Sequence, residues 1–167
     1  WPTPHEVGGP RRIWVCDTVN WKNTIDLGNV RYQAPWADLR GDFAIMAQNG
    51  VAKLFDGRTG VLHSVLVSSG GMVVILSPSG DRFVTCAGAE VKIWDSETRV
   101  ELATLIGHRP GNFVSRLGWS NLGNFFATGA TDQTIVLWDA LRLRQMQTLR
   151  GLQDTPDTDL FGFNNDD

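Results

Sequence analysis

Residues 107–139 read GHRPGNFVSRLGWSNLGNFFATGATDQTIVLWD, and the order of runs and turns inside them decides the fold. The runs 113–119 (FVSRLGW), 124–130 (NFFATGA) and 134–138 (TIVLW) are short and rich in β-branched and aromatic residues. SNLG and TDQ separate them, and such runs bounded by Ser, Asn, Asp and Gly predict strands joined by tight turns. A fourth run, 144–149 (RQMQTL), follows Asp139 and completes a set of four.

The same order recurs upstream. Apolar triplets closed by an aspartate stand at WVC-Asp17, KLF-Asp56, KIW-Asp95 and VLW-Asp139, spaced 39, 39 and 44 residues apart. The preceding copy reads GMVVILS, RFVTCA, EVKIW and VELATLI, and the earliest complete one APWADL, DFAIMA, VAKLF and VLHSVLV. A fixed period of this size marks stacked supersecondary units, none of which can bury its apolar faces alone. With Gly107-His108 before the strands and Trp138-Asp139 after them, the chain resembles the WD-repeat family of β-propellers. The resemblance is strong over 107–151, moderate over 70–106 and weak before residue 60.

The expected fold is therefore all-β, part of a propeller of four-stranded blades. A part-blade occupies 1–29, complete blades about 30–69, 70–106 and 107–151, and a further blade opens in 152–167, where Phe161 to Asn165 match Leu117 to Asn121. That makes fifteen strands, or sixteen if PHEV (4–7) is one. Exposed blade flanks and unpaired edges must be covered. Three coverings fit: remaining blades of a longer chain, a second copy completing an eight-bladed ring, or self-closure of four blades.

The resemblance implies a hydrogen-bonded chain of His108, Thr128, Asp132 and Trp138 inside the last full blade. Reading His108 and Asp132 as a catalytic pair fails for want of a nucleophile. The other blades lack the full set. SSG (68–70) and GAE (88–90) replace Gly-His and the Asp turn in one, leaving Thr85 and Trp94; Phe55 and Ile45 stand for Trp and Thr in another; Cys16 takes the Trp place in the first. They are expected to be held by packing alone. The aspartates at 56, 95 and 139 read as loop-capping turn residues.

Composition narrows the function. All 15 Lys and Arg lie in residues 1–150 against 13 acids, and Asp154, Asp157, Asp159, Asp166 and Asp167 follow, so no basic footprint points to nucleic acid. No apolar run is longer than MVVIL at 72–76, which is too short for a membrane span. Cys16 and Cys86 sit in apolar runs and read as reduced, buried thiols, which together with the lack of a signal peptide makes cytoplasm the expected compartment. No cofactor or metal is expected.

The resemblance implies a non-catalytic scaffold that binds other proteins or peptides. Arg109, Phe113 and Thr131 at the long HRPGN loop, and Tyr32 and Trp36 at the matching loop of an earlier blade, are the candidate partner contacts. Two other classes stay open. A propeller enzyme would need a channel-facing cluster built from His5, His63 or His108, and a phosphoinositide or nucleic-acid binder would need LRLR (141–144) with Arg150 to form a basic face.

Overall fold

The computed structural model describes residues 11–16, 24–30, 36–40, 43–48, 50–56, 59–67, 72–150 and Phe163. Every regular element among them is a strand. β1 (Arg11–Cys16) and β2 (Thr24–Val30) form an antiparallel pair. Three four-stranded sheets follow. The first orders β3 (Trp36–Arg40), β4 (Phe43–Gln48), β5 (Val51–Asp56) and β6 (Leu62–Val67) as a meander. The second holds β7 (Met72–Leu76), β8 (Arg82–Ala87), β9 (Glu90–Asp95) and β10 (Glu101–Leu105). The third holds β11 (Val114–Trp119), β12 (Phe125–Ala130), β13 (Thr134–Asp139) and β14 (Arg144–Arg150).

These sheets are the expected blades. Each expected strand of the three complete copies coincides with an observed one to within two residues at either end, and β2 runs to Val30, past the expected end at residue 27. PHEV and the chain from 152 on, apart from Phe163, lie outside the described residues.

The blades stack face on face, as strand periodicity requires. Successive side chains of β7 point to opposite sides, so Met72, Val74 and Leu76 join Ile45, Ala47, Ala52 and Leu54 in one core, while Val73 joins the other. That second core brings Val84, Cys86, Val91 and Ile93 of the middle blade against Val114, Leu117, Phe126, Val136 and Trp138 of the last. A strand buried on both faces needs a continuous apolar run, which MVVIL supplies. Strand β7 touches β3 and β4 on one side and β11 on the other, so the first strands of successive blades lie side by side. Two polar bonds reinforce the second joint: Val114 N donates to Gly88 O at 2.8 Å, and the Arg82 guanidinium donates to Ala140 O at 2.5 Å.

The hairpins repeat as well. In the first loop of the last two blades the serine hydroxyl accepts from a backbone N–H five residues on, Arg82 N to Ser77 Oγ at 3.1 Å and Phe125 N to Ser120 Oγ at 3.1 Å. Gly80 and Gly123 take the positive φ these loops demand, at 78° and 74°. Ser120 is thus a buried turn former. In the third loop, Asp56 Oδ1 accepts from Thr59 N and Asp95 Oδ1 from Thr98 N, both at 2.7 Å, and Asp139 Oδ1 accepts from Arg142 N at 2.8 Å. The expected capping role is the one these three aspartates fill.

Candidate functional site

The last blade carries the buried network at its β12–β13 end. Three residues, Thr131, Asp132 and Gln133, make that turn, with Gln133 at φ 60°. The extra residue lets the Asp132 side chain fold back under the turn. Its Oδ1 accepts from Thr134 N at 3.1 Å and Thr134 Oγ1 at 2.6 Å, and its Oδ2 accepts from Arg109 N at 2.9 Å. The carboxylate therefore ties the turn to the long loop entering the blade.

Beneath it lies His108, with a fully buried side chain. Its Nε2 lies 2.7 Å from Thr128 Oγ1, its Nδ1 3.0 Å from Thr134 Oγ1 and 3.4 Å from Asp132 Oδ2. Trp138 Nε1 donates to Thr128 Oγ1 at 2.8 Å. An indole N–H only donates, so Thr128 accepts from Trp138 and passes its own proton to His108 Nε2. That assignment, made from the donor count, leaves the His108 proton on Nδ1, facing Thr134 and Asp132. All four expected residues are brought together, and Thr134 is a fifth member that the sequence reading missed. Its signal was present as the Asp-x-Thr spacing of 132–134, a turn in which a carboxylate caps a nearby backbone.

Burial sets the charge states. Desolvation holds the His108 imidazole below its ordinary 6.5, outweighing the attraction of Asp132, so the ring is neutral at pH 7. Burial pushes Asp132 upward, but hydrogen bonds from Thr134 and Arg109 N and the nearby His108 outweigh it and hold the carboxyl below 3.8. Gly107 explains its own place in the motif. A Cβ there would sit 2.6 Å from Trp138 Cη2, so the chain passes across the indole edge where no side chain fits.

The other blades correct the expectation of packing alone. In the middle blade Trp94 Nε1 donates to Thr85 Oγ1 at 2.9 Å, so half of the network survives there. In the first blade the strand ladder pairs Met46 with Lys53 and Ala44 with Phe55. The middle blade pairs Thr85 with Lys92 and Phe83 with Trp94, and the last pairs Thr128 with Val136 and Phe126 with Trp138. Met46, not Ile45, therefore occupies the threonine position. Thr128 precedes Trp138 by ten residues across a three-residue turn, whereas Thr85 precedes Trp94 by nine across a two-residue turn. The first blade has the short turn, so the spacing of nine applies.

Above the network, the loop 106–113 forms a rigid surface. Phe113 N donates to Thr131 Oγ1 at 3.1 Å and Thr131 N to Phe113 O at 3.0 Å. Thr131 Oγ1 donates to Asn112 Oδ1 at 3.2 Å, and Asn112 Nδ2 to Arg109 O at 3.3 Å. The structure thus joins Arg109, Phe113 and Thr131 in one cluster. Phe113 is 61% exposed and Arg109 exposed, whereas the Thr131 hydroxyl is engaged within the loop and positions its neighbours. Trp36 begins β3, and Tyr32 lies outside the described residues.

The competing sites are dispersed. His63 lies on β6, the outermost strand of its blade, 3.9 Å from Asp56 and 3.5 Å from an Arg99 nitrogen, while His108 is shut inside the network. Arg142 is paired with Asp139 at 2.9 Å, and Arg144 and Arg150 stand at opposite ends of β14, about 20 Å apart at a strand's usual rise. LRLR with Arg150 therefore makes no single basic face. No helix among the described residues is long and apolar enough to cross a membrane.

Stacked antiparallel four-stranded blades, the last locked by a Trp–Thr–His–Asp chain, define part of a propeller of the WD-repeat class. Residues 99–139 match the family model "WD domain, G-beta repeat", and the chain belongs to the WD-repeat family. It is 34% identical over 70 residues, 40% of this chain, to the periodic tryptophan protein 2 homolog of Schizosaccharomyces pombe. It is 32% identical over 102 residues, 56% of this chain, to the chromatin assembly factor 1 subunit FAS2 homolog of Oryza sativa subsp. japonica. The matches span 8% and 20% of those two relatives.

Proposed function

We propose that this chain is a non-catalytic protein-interaction platform, with its partner docked on the surface formed by loop 106–113 and turn 131–133. The observation that carries the reading is the exposed Phe113 and Arg109 on a backbone held by Asp132, Thr131 and Asn112. A surface fixed before binding loses little conformational entropy on association, and exposed aromatic and arginine side chains supply much of the energy at protein interfaces. The network beneath serves that surface. Asp132 is bonded at once to the loop, the turn and Thr134, so the geometry above it is set by the blade core.

A catalytic role finds little support in the same geometry. The His108 and Asp132 side chains are 0% and 1% exposed, and the hydroxyls touching them already have partners, so no substrate reaches the pair. One relative's name describes a subunit of an assembly factor, in keeping with a platform in a multi-subunit complex. The test is comparative affinity purification with Phe113→Ser and Leu122→Ser, the latter an exposed residue in the β11–β12 loop at the other end of the blade. Phe113→Ser should strip partners that Leu122→Ser retains; equal retention by both would refute the proposal.

A further inference from the structure

We infer that the same surface selects an acidic partner segment that alternates carboxylates with apolar side chains. This rests on the platform reading of that surface and adds the chemistry of what it binds. Two arginines flank the Asp132 turn. Arg109 follows His108 directly and donates its backbone N–H to Asp132. Arg150 lies opposite Thr134 in the β13–β14 ladder, and directly paired residues in a sheet point to one face. Thr134 directs its hydroxyl to His108 at 3.0 Å, so Arg150 stands at the rim of the face over which the loop 107–109 passes.

Both arginines are exposed, and neither has an ion-pair partner among the described residues. Asp132 is buried and shared among Arg109 N, Thr134 and His108, while Glu90, at the adjoining end of the middle blade, shares Lys92, 3.6 Å away, with Glu101 at 3.0 Å. The Arg109 and Arg150 guanidinium groups are therefore available to carboxylates of a partner. Ile106, 84% exposed, and Phe113, 61% exposed, bracket Arg109 in sequence and give the surface an apolar component that a bare polyanion site would not need. Carboxylates meeting Arg109 and Arg150, with aliphatic side chains on Ile106 and Phe113, satisfy both features. Arg144, at the other end of β14, is the internal control.

The test uses a fluorescent peptide of alternating glutamate and leucine, its lysine–leucine counterpart and an oligothymidylate, each titrated against the chain by anisotropy. The Glu–Leu peptide should bind more tightly than the Lys–Leu one and weaken as ionic strength rises through about 0.1 M, where screening reaches about 10 Å. Arg109→Ala and Arg150→Ala should each weaken it about two- to fivefold, the range for exposed charge pairs, and Arg144→Ala should leave it unchanged. An unchanged unfolding midpoint shows that each variant keeps its fold. Equal binding of the two peptides, equal loss with Arg144→Ala, or tighter binding of the oligothymidylate would overturn the inference. If the Glu–Leu peptide fails while Phe113→Ser still strips partners in purification, the platform stands and its acidic specificity falls. If Phe113→Ser strips nothing, the platform itself falls.

Discussion

Replacing Thr128 by valine removes one oxygen and almost no volume, so the perturbation isolates the hydrogen bonds. Thr128 and Trp138 are both 0% exposed, and the substitution leaves two groups without partners, Trp138 Nε1–H and His108 Nε2. A buried polar group stranded in this way costs about 1–3 kcal/mol, so Thr128→Val should lower stability by about 2–6 kcal/mol. The middle blade gives the calibration. Thr85→Val strands only Trp94 Nε1–H, on a half-buried ring that water can reach, and should cost about 1 kcal/mol. Adding Trp138→Phe to Thr128→Val removes one of the stranded groups, so the double variant should be more stable than the sum of the single losses by about 1 kcal/mol or more. Urea unfolding followed by far-ultraviolet circular dichroism measures all four variants without relying on the altered tryptophan. A Thr128→Val loss no larger than that of Thr85→Val, or strict additivity in the double variant, would refute the network as a coupled unit.

Three further outcomes follow from the same geometry. Ser96 is 1% exposed with an unpartnered hydroxyl, and its counterpart after the third strand of the last blade is Ala140, so Ser96→Ala should raise the unfolding midpoint, by about 1 kcal/mol in stability. Gly107→Ala should cost about 1–3 kcal/mol because its Cβ would sit 2.6 Å from the Trp138 ring; a neutral effect would show that the loop can move off the indole. Stability should fall with acid in two stages that pH-dependent unfolding resolves. The unfolded chain binds a proton at His108 near 6.5 and the folded chain only at lower pH, so that contribution is complete above 6.5 and declines as pH falls below it. Asp132, held below 3.8 when folded, contributes above that value and is lost as pH falls through its folded value. In His108→Ala the first stage should vanish.

Much of this architecture was legible in the residues because strand and turn signals are local. The Ser77 and Ser120 loops and the aspartates at 56, 95 and 139 close their hairpins with bonds spanning a few residues, which spacing alone exposes. Trp138, Thr128, His108 and Asp132 were legible through a family pattern. Thr134 was legible only in part: the Asp-x-Thr spacing marks its bond to Asp132, whereas its bond to His108 forms only when the turn folds over the ring. Met46 was misread as Ile45 because register depends on counting turn residues: Gln48 pairs with Val51 across a turn of two, whereas Ala130 pairs with Thr134 across a turn of three. The Arg82 to Ala140 bond joins residues 58 apart in different blades, a distance over which no local pattern speaks. Phe113 was marked as a contact from its place at the long HRPGN loop; its fixed backbone emerged only from the bonds to Thr131.

The most direct test of the platform is site-specific photo-crosslinking in the protein that carries this chain, with a photoreactive phenylalanine analogue at position 113 and, separately, at position 122. Both side chains are well exposed, at 61% and 69%, but they stand at opposite ends of one blade. Partner adducts formed from position 113 and absent from position 122 are the predicted result. Adducts concentrated at position 122, or none from position 113 in the assembled complex, would contradict the assignment of the binding surface.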